Sequence, residues 1–219
     1  MTDAVDKPWA SAAIAATVLG VFAVIGATLV GLSYEVTAER IAQNERDALL
    51  ARLNAILPHE KYDNALLQDY IDLSAPQALG AETTRVYRAR KAGQPVAVML
   101  SPVVARGYSG DIRLIVGIRE DGRLAGVRVL SHRETPGLGD KIEAGKHPWI
   151  LGFSDRSLED PAEAQWKVRR DGGAFDQFTG ATISPRAVVA AVKQALLFYR
   201  NEAGSLFSEN SDDGKSGND

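Results

Sequence analysis

Two stretches of this 219-residue chain combine residue types and spacings suited to binding chemistry. They are His132-Arg133-Glu134-Thr135-Pro136-Gly137-Leu138-Gly139 and Asp176-Gln177-Phe178-Thr179-Gly180-Ala181-Thr182-Ile183-Ser184-Pro185. Glycine has no side chain to stand between backbone and ligand, so a Pro-Gly-x-Gly turn offers a surface on which a flat molecule can lie. Thr179 and Thr182 fall just before a predicted helix, where free amides and the helix dipole favour a phosphate. Each stretch alone also has a plainer reading, an ordinary turn and an ordinary helix cap. The chain contains no cysteine, which excludes disulfides, zinc ribbons, thiolate nucleophiles and protein-ligated iron–sulfur clusters. Redox chemistry here would need an organic cofactor or a partner.

Other constellations fail on spacing. Gly139 to Lys146 superficially suggests a phosphate loop, but one residue too many separates Gly139 from Gly145, and His147 stands where a magnesium-binding hydroxyl is required. Ser109 with His132 lacks the framing of a nucleophile elbow. His59, His132 and His147 are too scattered to suggest zinc, so no metal site and no catalytic side chain are assigned. A net charge of -3 provides no positive field for nucleic acid.

The elements that must position these residues follow from patterning. From Ala10 to Ser33 no charge interrupts the chain, and Trp9 and Tyr34 flank the run. A helix of roughly 20 residues crosses the hydrocarbon core, so this is read as an uncleaved transmembrane helix. Ala12, Ala16, Gly20, Ala23, Ala27 and Gly31 share one face, as helix neighbours in a bilayer would favour; such residues are also simply common in membrane helices. Lys7 stands beside Asp3 and Asp6, while Arg40, Arg46 and Arg52 follow the span, so charge alone leaves the orientation open.

Helical patterning continues over 35–57 until Pro58, and a polar connector follows. Thr84–Arg90 and Pro95–Leu100 read as strands around residues 91–94, and the basic cluster Arg85, Arg88, Arg90 and Lys91 as a solvated edge. Ile112, Leu114, Val116 and Ile118 alternate, then Glu120-Asp121-Gly122 turns the chain into a second run, Leu124 to Leu130. A helix over Pro185–Glu202 closes the domain, with Ser184 as N-cap and Pro185 as first helical residue. The expected class is α+β: residues 1–9 a short tail, 10–33 the membrane helix, 34–80 a helical linker and connector, 81–203 a domain of antiparallel strands with a C-terminal helix, and 204–219 a disordered acidic tail.

Taken together, the two stretches resemble the FMN-binding domain family that includes the G subunit of the Rnf electron-transport complex and the C subunit of the sodium-pumping NADH:quinone oxidoreductase. The family motif runs Asp, variable positions, Ser or Thr, then Gly-Ala-Thr, and its last Thr forms a phosphoester with FMN. Here Asp176, Thr179, Gly180, Ala181 and Thr182 fill those positions, and Gln177 stands where a Gly is frequent. Residues 132–139 look like the family segment that packs against the flavin ring, and with Gly107-Tyr108-Ser109-Gly110 the resemblance covers about residues 80–200.

The resemblance implies covalent FMN on Thr182, with His132, Glu134, Thr135, Pro136, Gly137, Leu138, Gly139, Thr179, Gly180, Ala181, Ile183 and Ser184 around the cofactor. It also implies that Asp176, Thr179, Gly180 and Ala181 are recognised by a flavin transferase. The N-terminal span and the total length look more like the Rnf subunit. That implies an electron relay among other membrane subunits of an ion-translocating ferredoxin:NAD oxidoreductase, on the outer, periplasmic face of a bacterial inner membrane. The quinone-reductase subunit and a scaffold or sensor domain without flavin are the alternatives.

Overall fold

The computed structural model describes residues 8–208; residues 1–7 of the expected N-terminal tail and the acidic run from Glu209 lie outside them, while Pro8 and Trp9 already belong to a helix. The chain divides into two compact units, one up to Leu49 and one from Leu50 onward. Helix α1 (Pro8–Asn54) contains the apolar run and is long and apolar enough to cross a membrane. Its apolar side chains, Leu19, Phe22 and Leu29 among them, are exposed. The hydroxyls of Thr17 and Thr28 donate to the carbonyls of Ala13 and Val24, one turn back. A hydroxyl satisfied within its own helix removes most of its cost in hydrocarbon.

The second unit is built on an antiparallel sheet. Its strands are β1 (Tyr70–Leu73), β2 (Thr84–Lys91), β3 (Gln94–Leu100), β4 (Val103–Val104), β5 (Ile112–Arg119) and β6 (Leu124–Ser131), with a one-turn helix α2 (Pro76–Leu79) after β1. The order is β1-β2-β3-β5-β4, and β6 pairs with β5. Both expected hairpins form. Ala92 and Gly93 carry φ of 50° and 76° between β2 and β3, the left-handed pair a two-residue hairpin turn requires.

Alternation sends successive residues of each strand to opposite faces. Val98, Leu100, Ile112, Leu114, Val116 and Ile118 join Val188, Val192 and Leu196 of the closing helix α3 (Ile183–Phe207) in one core cluster. Burying each of those helix side chains contributes roughly 1.5–3 kcal/mol. The other face receives Ile56: a Cβ on Gly117 would lie 2.4 Å from its Cγ2. Glycine at 117 is therefore what lets the chain after α1 lie flat on the sheet.

Four expectations change in the structure. The connector before residue 81 is part of the fold, since β1 pairs with β2 along Tyr70–Leu73. The basic cluster is not uniformly a solvated edge, because Arg88 is buried and its guanidinium, like that of Arg90, binds Asp69. Helix α3 begins at Ile183 with Thr182 as its N-cap, so Ser184 and Pro185 lie inside its first turn. It also runs to Phe207, with Leu206 fully buried, where the sequence suggested a tail from 204.

Candidate functional site

Between β6 and α3 the chain wanders over the sheet end with only short 3₁₀ turns, and this excursion brings the two motif stretches together. Leu138 N–H and Gly139 N–H both donate to Thr135 O at 3.1 Å, with Gly137 at φ 77°. The Thr135-Pro136-Gly137-Leu138 turn thus has proline and a left-handed glycine at its two central positions, the type II arrangement. The Phe178-Thr179-Gly180-Ala181 turn repeats the device: Gly180 sits at φ 82° and Ala181 N–H donates to Phe178 O at 3.1 Å.

A cavity of about 430 Å³ opens where these turns meet. It is lined by Tyr108, Glu134, Thr135, Leu138, Gly139, Gly180, Ala181, Thr182, Ile183 and Ser184, so every lining residue except Tyr108 belongs to the two stretches. Its size falls within the roughly 300–1,000 Å³ of small-molecule sites.

Glu134 forms the inner wall. Its side chain is buried; Oε1 accepts from Ser109 N–H at 3.1 Å and Oε2 accepts a hydrogen bond from Ser184 Oγ. A Cβ on Gly139 would lie 2.7 Å from Glu134 Oε2 and 2.8 Å from Ser184 Oγ, and one on Gly107 would lie 2.7 Å from Glu134 Oε1. Gly139 is thus imposed by the carboxylate and its serine partner, and Gly107 by the carboxylate together with the still closer Gly110 carbonyl oxygen. Ser184 lies inside the first turn and donates its hydroxyl to Glu134, and Thr182, at the cap position, makes no side-chain cap bond. The first-turn amides of α3 have no acceptor within the helix, so this rim can receive an anion.

His132 stands behind the cavity wall. Its Nδ1 accepts from Glu134 N–H at 2.9 Å, so the ring proton sits on Nε2, which donates to Glu143 Oε1 at 2.6 Å. Pro136 and Gly137 shape the turn without lining the cavity. Nearby, the Gly137 amide and the Lys146 ammonium hold Asp140 below the usual carboxylate range.

Asp176 and Thr179 face a neighbouring groove shared with His147, Trp149 and Phe178. Asp176 is exposed; its carboxylate pairs with Arg169 at 2.9 Å and its carbonyl accepts from Trp149 Nε1 at 2.9 Å. Gln177, the departure from the common motif, accepts from Arg170 N–H at 3.2 Å. The lining residue missing from the sequence-based assignment is Tyr108. An aromatic between Gly107 and Ser109-Gly110 was the available signal, but only the fold places that loop beside residue 134.

The residues fit a flavin phosphate: a glycine-walled slot, an apolar mouth and a helix start without a side-chain cap meet at Thr182. Residues 107–197 match the FMN-binding domain family, and residues 1–56 match the RnfG N-terminal region. The G subunit of the ion-translocating oxidoreductase complex from Pseudomonas aeruginosa is 50% identical over 84% of this chain and 86% of its own length. Its counterparts of the same name from Vibrio cholerae and Pseudoalteromonas atlantica are 45% and 43% identical, over 88% and 87% of this chain and 92% and 89% of theirs. The chain belongs to this family of G subunits of ion-translocating oxidoreductase complexes. Membership agrees with the resemblance carried by residues 132–139 and 176–182, and it favours the Rnf subunit over its quinone-reductase relative.

Proposed function

We propose that this chain is a membrane-anchored flavoprotein subunit that relays electrons through FMN esterified to Thr182, within an ion-translocating Rnf-type complex that exchanges electrons between ferredoxin and NAD. The observation that carries the reading is that residues some forty positions apart, Glu134 to Gly139 and Gly180 to Ser184, line one cavity at the open end of α3. FMN supplies a ring that takes and gives electrons singly; the protein's share is to hold and tune it.

Thr182 sits half-buried at the helix cap and is one of the residues lining the cavity. A flavin transferase would recognise Asp176, Thr179, Gly180 and Ala181; the exposure of Asp176, Thr179 and Gly180 supports that. An Oγ–P bond replaces one O–H and one P–OH, so the chain gains FMN less one water. The amides from Thr182 to Ser184 then face the remaining phosphate oxygens, where the helix dipole favours negative charge. Glu134, buried and bonded to an amide and a hydroxyl rather than a cation, disfavours negative charge on the ring and lowers its potential. If Glu134→Gln does not raise the midpoint potential, that electrostatic role is wrong.

Co-expression with a flavin transferase, followed by intact-mass analysis and a denaturing gel viewed under ultraviolet light, tests the attachment. The expected result is fluorescence that survives denaturation and the mass of FMN less water, both lost in Thr182→Ala. Full labelling of that variant would place the link elsewhere, and an unlabelled wild type would favour a scaffold without flavin. The reading also places the domain on the outer face of the inner membrane, so a membrane-impermeant lysine reagent should label it in intact spheroplasts; protection there would reverse the orientation.

A further inference from the structure

Beyond α1, the exposed large apolar side chains among the described residues are Tyr70, Tyr108, Leu138, Leu151 and Ile183. Three of these, Tyr108, Leu138 and Ile183, border the cavity walled by Glu134. Tyr70 is accounted for otherwise, since the Arg85 guanidinium lies 4.0 Å from its ring centroid. Apolar side chains gathered at the mouth of a cavity mark a surface that a ligand covers. Tyr108 is the extreme case, 68% exposed and the one aromatic residue among those lining the cavity.

The backbone under Tyr108 is held although its ring is not. Ser109 N–H donates to Glu134 Oε1, and the Gly107 position is so close to Gly110 O that a Cβ there would lie 2.3 Å from it. The loop therefore has one bulky side chain, on a backbone anchored to the cavity wall.

We propose that Tyr108 supplies the stacking face for the flavin ring at this mouth, and that Glu134 is a positioning residue that holds it there through the Ser109 amide. The inference rests on the FMN reading and adds to it a residue and a role. Offset stacking of an aromatic side chain on a flat ring is favourable and orients both. It leaves Leu138 and Ile183 to meet the ring edges, and it separates two duties of Glu134, one through its charge and one through its shape.

The test is the fluorescence lifetime of the covalently labelled full-length chain. A stacked phenol transfers an electron to the excited flavin and takes it back, which shortens the lifetime; leucine cannot. Wild type is expected to be strongly quenched, Tyr108→Leu to show a severalfold longer lifetime at full FMN mass, and Tyr108→Trp to restore quenching. Glu134→Ala should lengthen the lifetime partially. Glu134→Gln should restore it, because its carbonyl can accept from Ser109 N–H while its amide donates to Ser184 Oγ. Since Tyr108 is exposed, its variants remain informative even if Glu134→Ala fails to fold. A fully labelled Tyr108→Leu with the wild-type lifetime overturns the stacking role. A Glu134→Ala lifetime equal to wild type overturns the positioning role. A wild type without the FMN mass overturns the function reading and this inference together.

Discussion

The two ends of α3 are treated in opposite ways. At the C-terminal end, Arg88 Nη1 donates to Ser208 O and Arg90 Nη2 to Phe207 O, each at 2.8 Å, and both guanidiniums share the Asp69 carboxylate. Cations placed on the last carbonyls satisfy both the orphan acceptors and the negative end of the dipole. At the N-terminal end no side chain caps the helix, the nearby Ser184 hydroxyl is committed to Glu134, and a cavity lies beside the first turn. One end is finished by side chains; the other has no side-chain cap.

The largest effect is expected at the closed end. Arg88→Ala strips a buried partner from Asp69 and from the Ser208 carbonyl, and urea denaturation should show a loss of roughly 2–4 kcal/mol. Chain that still folds should take up FMN on Thr182 as before. If uptake fell in step with stability, the two ends would not be independent.

A smaller loss is expected at the open end. Gly139→Ala drives a methyl against Glu134 Oε2 and Ser184 Oγ, which should cost about 1–3 kcal/mol by overpacking. Here flavin incorporation should fall far more than stability does, measured by mass on folded protein. Unchanged incorporation would mean that the carboxylate wall does not shape the site.

The smallest effect lies in a surface ion pair near the open end. Arg186 holds Asp171 through a bidentate contact at 2.6 and 2.8 Å, and its guanidinium lowers the Asp171 pKa. A carboxylate depressed in the folded state contributes stability above its unfolded pKa, near 4, and that contribution is lost as pH falls through the folded value. Thermal melts taken downward from pH 5 should therefore fall less steeply for Asp171→Asn than for wild type. Parallel slopes would show that the pair contributes nothing, as many exposed pairs do.

Legibility followed the range of the interactions. The hairpins were readable because their signals lie within a few residues: alternation along 112–118, and Asp121-Gly122 between the strands. Strand β1 was not, because four residues say little alone and Tyr70–Leu73 become a strand only by pairing with β2. Ser184 looked like a cap by type and position, yet the helix already starts at Ile183 and the Ser184 hydroxyl points to a carboxylate fifty residues earlier. Arg88 and Arg90 looked solvated because their acceptors at Phe207 and Ser208 lie more than a hundred positions away.

By itself, then, the order of residues determined the apolar helix, the alternating strands, the absence of thiol chemistry and the threonine at a helix entrance. These depend on local periodicity, composition and glycine's freedom at positive φ, which no distant partner alters. Only the tertiary structure decided that Glu134, Ser184, Gly139 and the Tyr108 loop meet around one cavity, and which end of α3 is sealed. Those outcomes depend on which buried donor reaches which buried acceptor, and that is settled when the sheet, the excursion and the helix pack together.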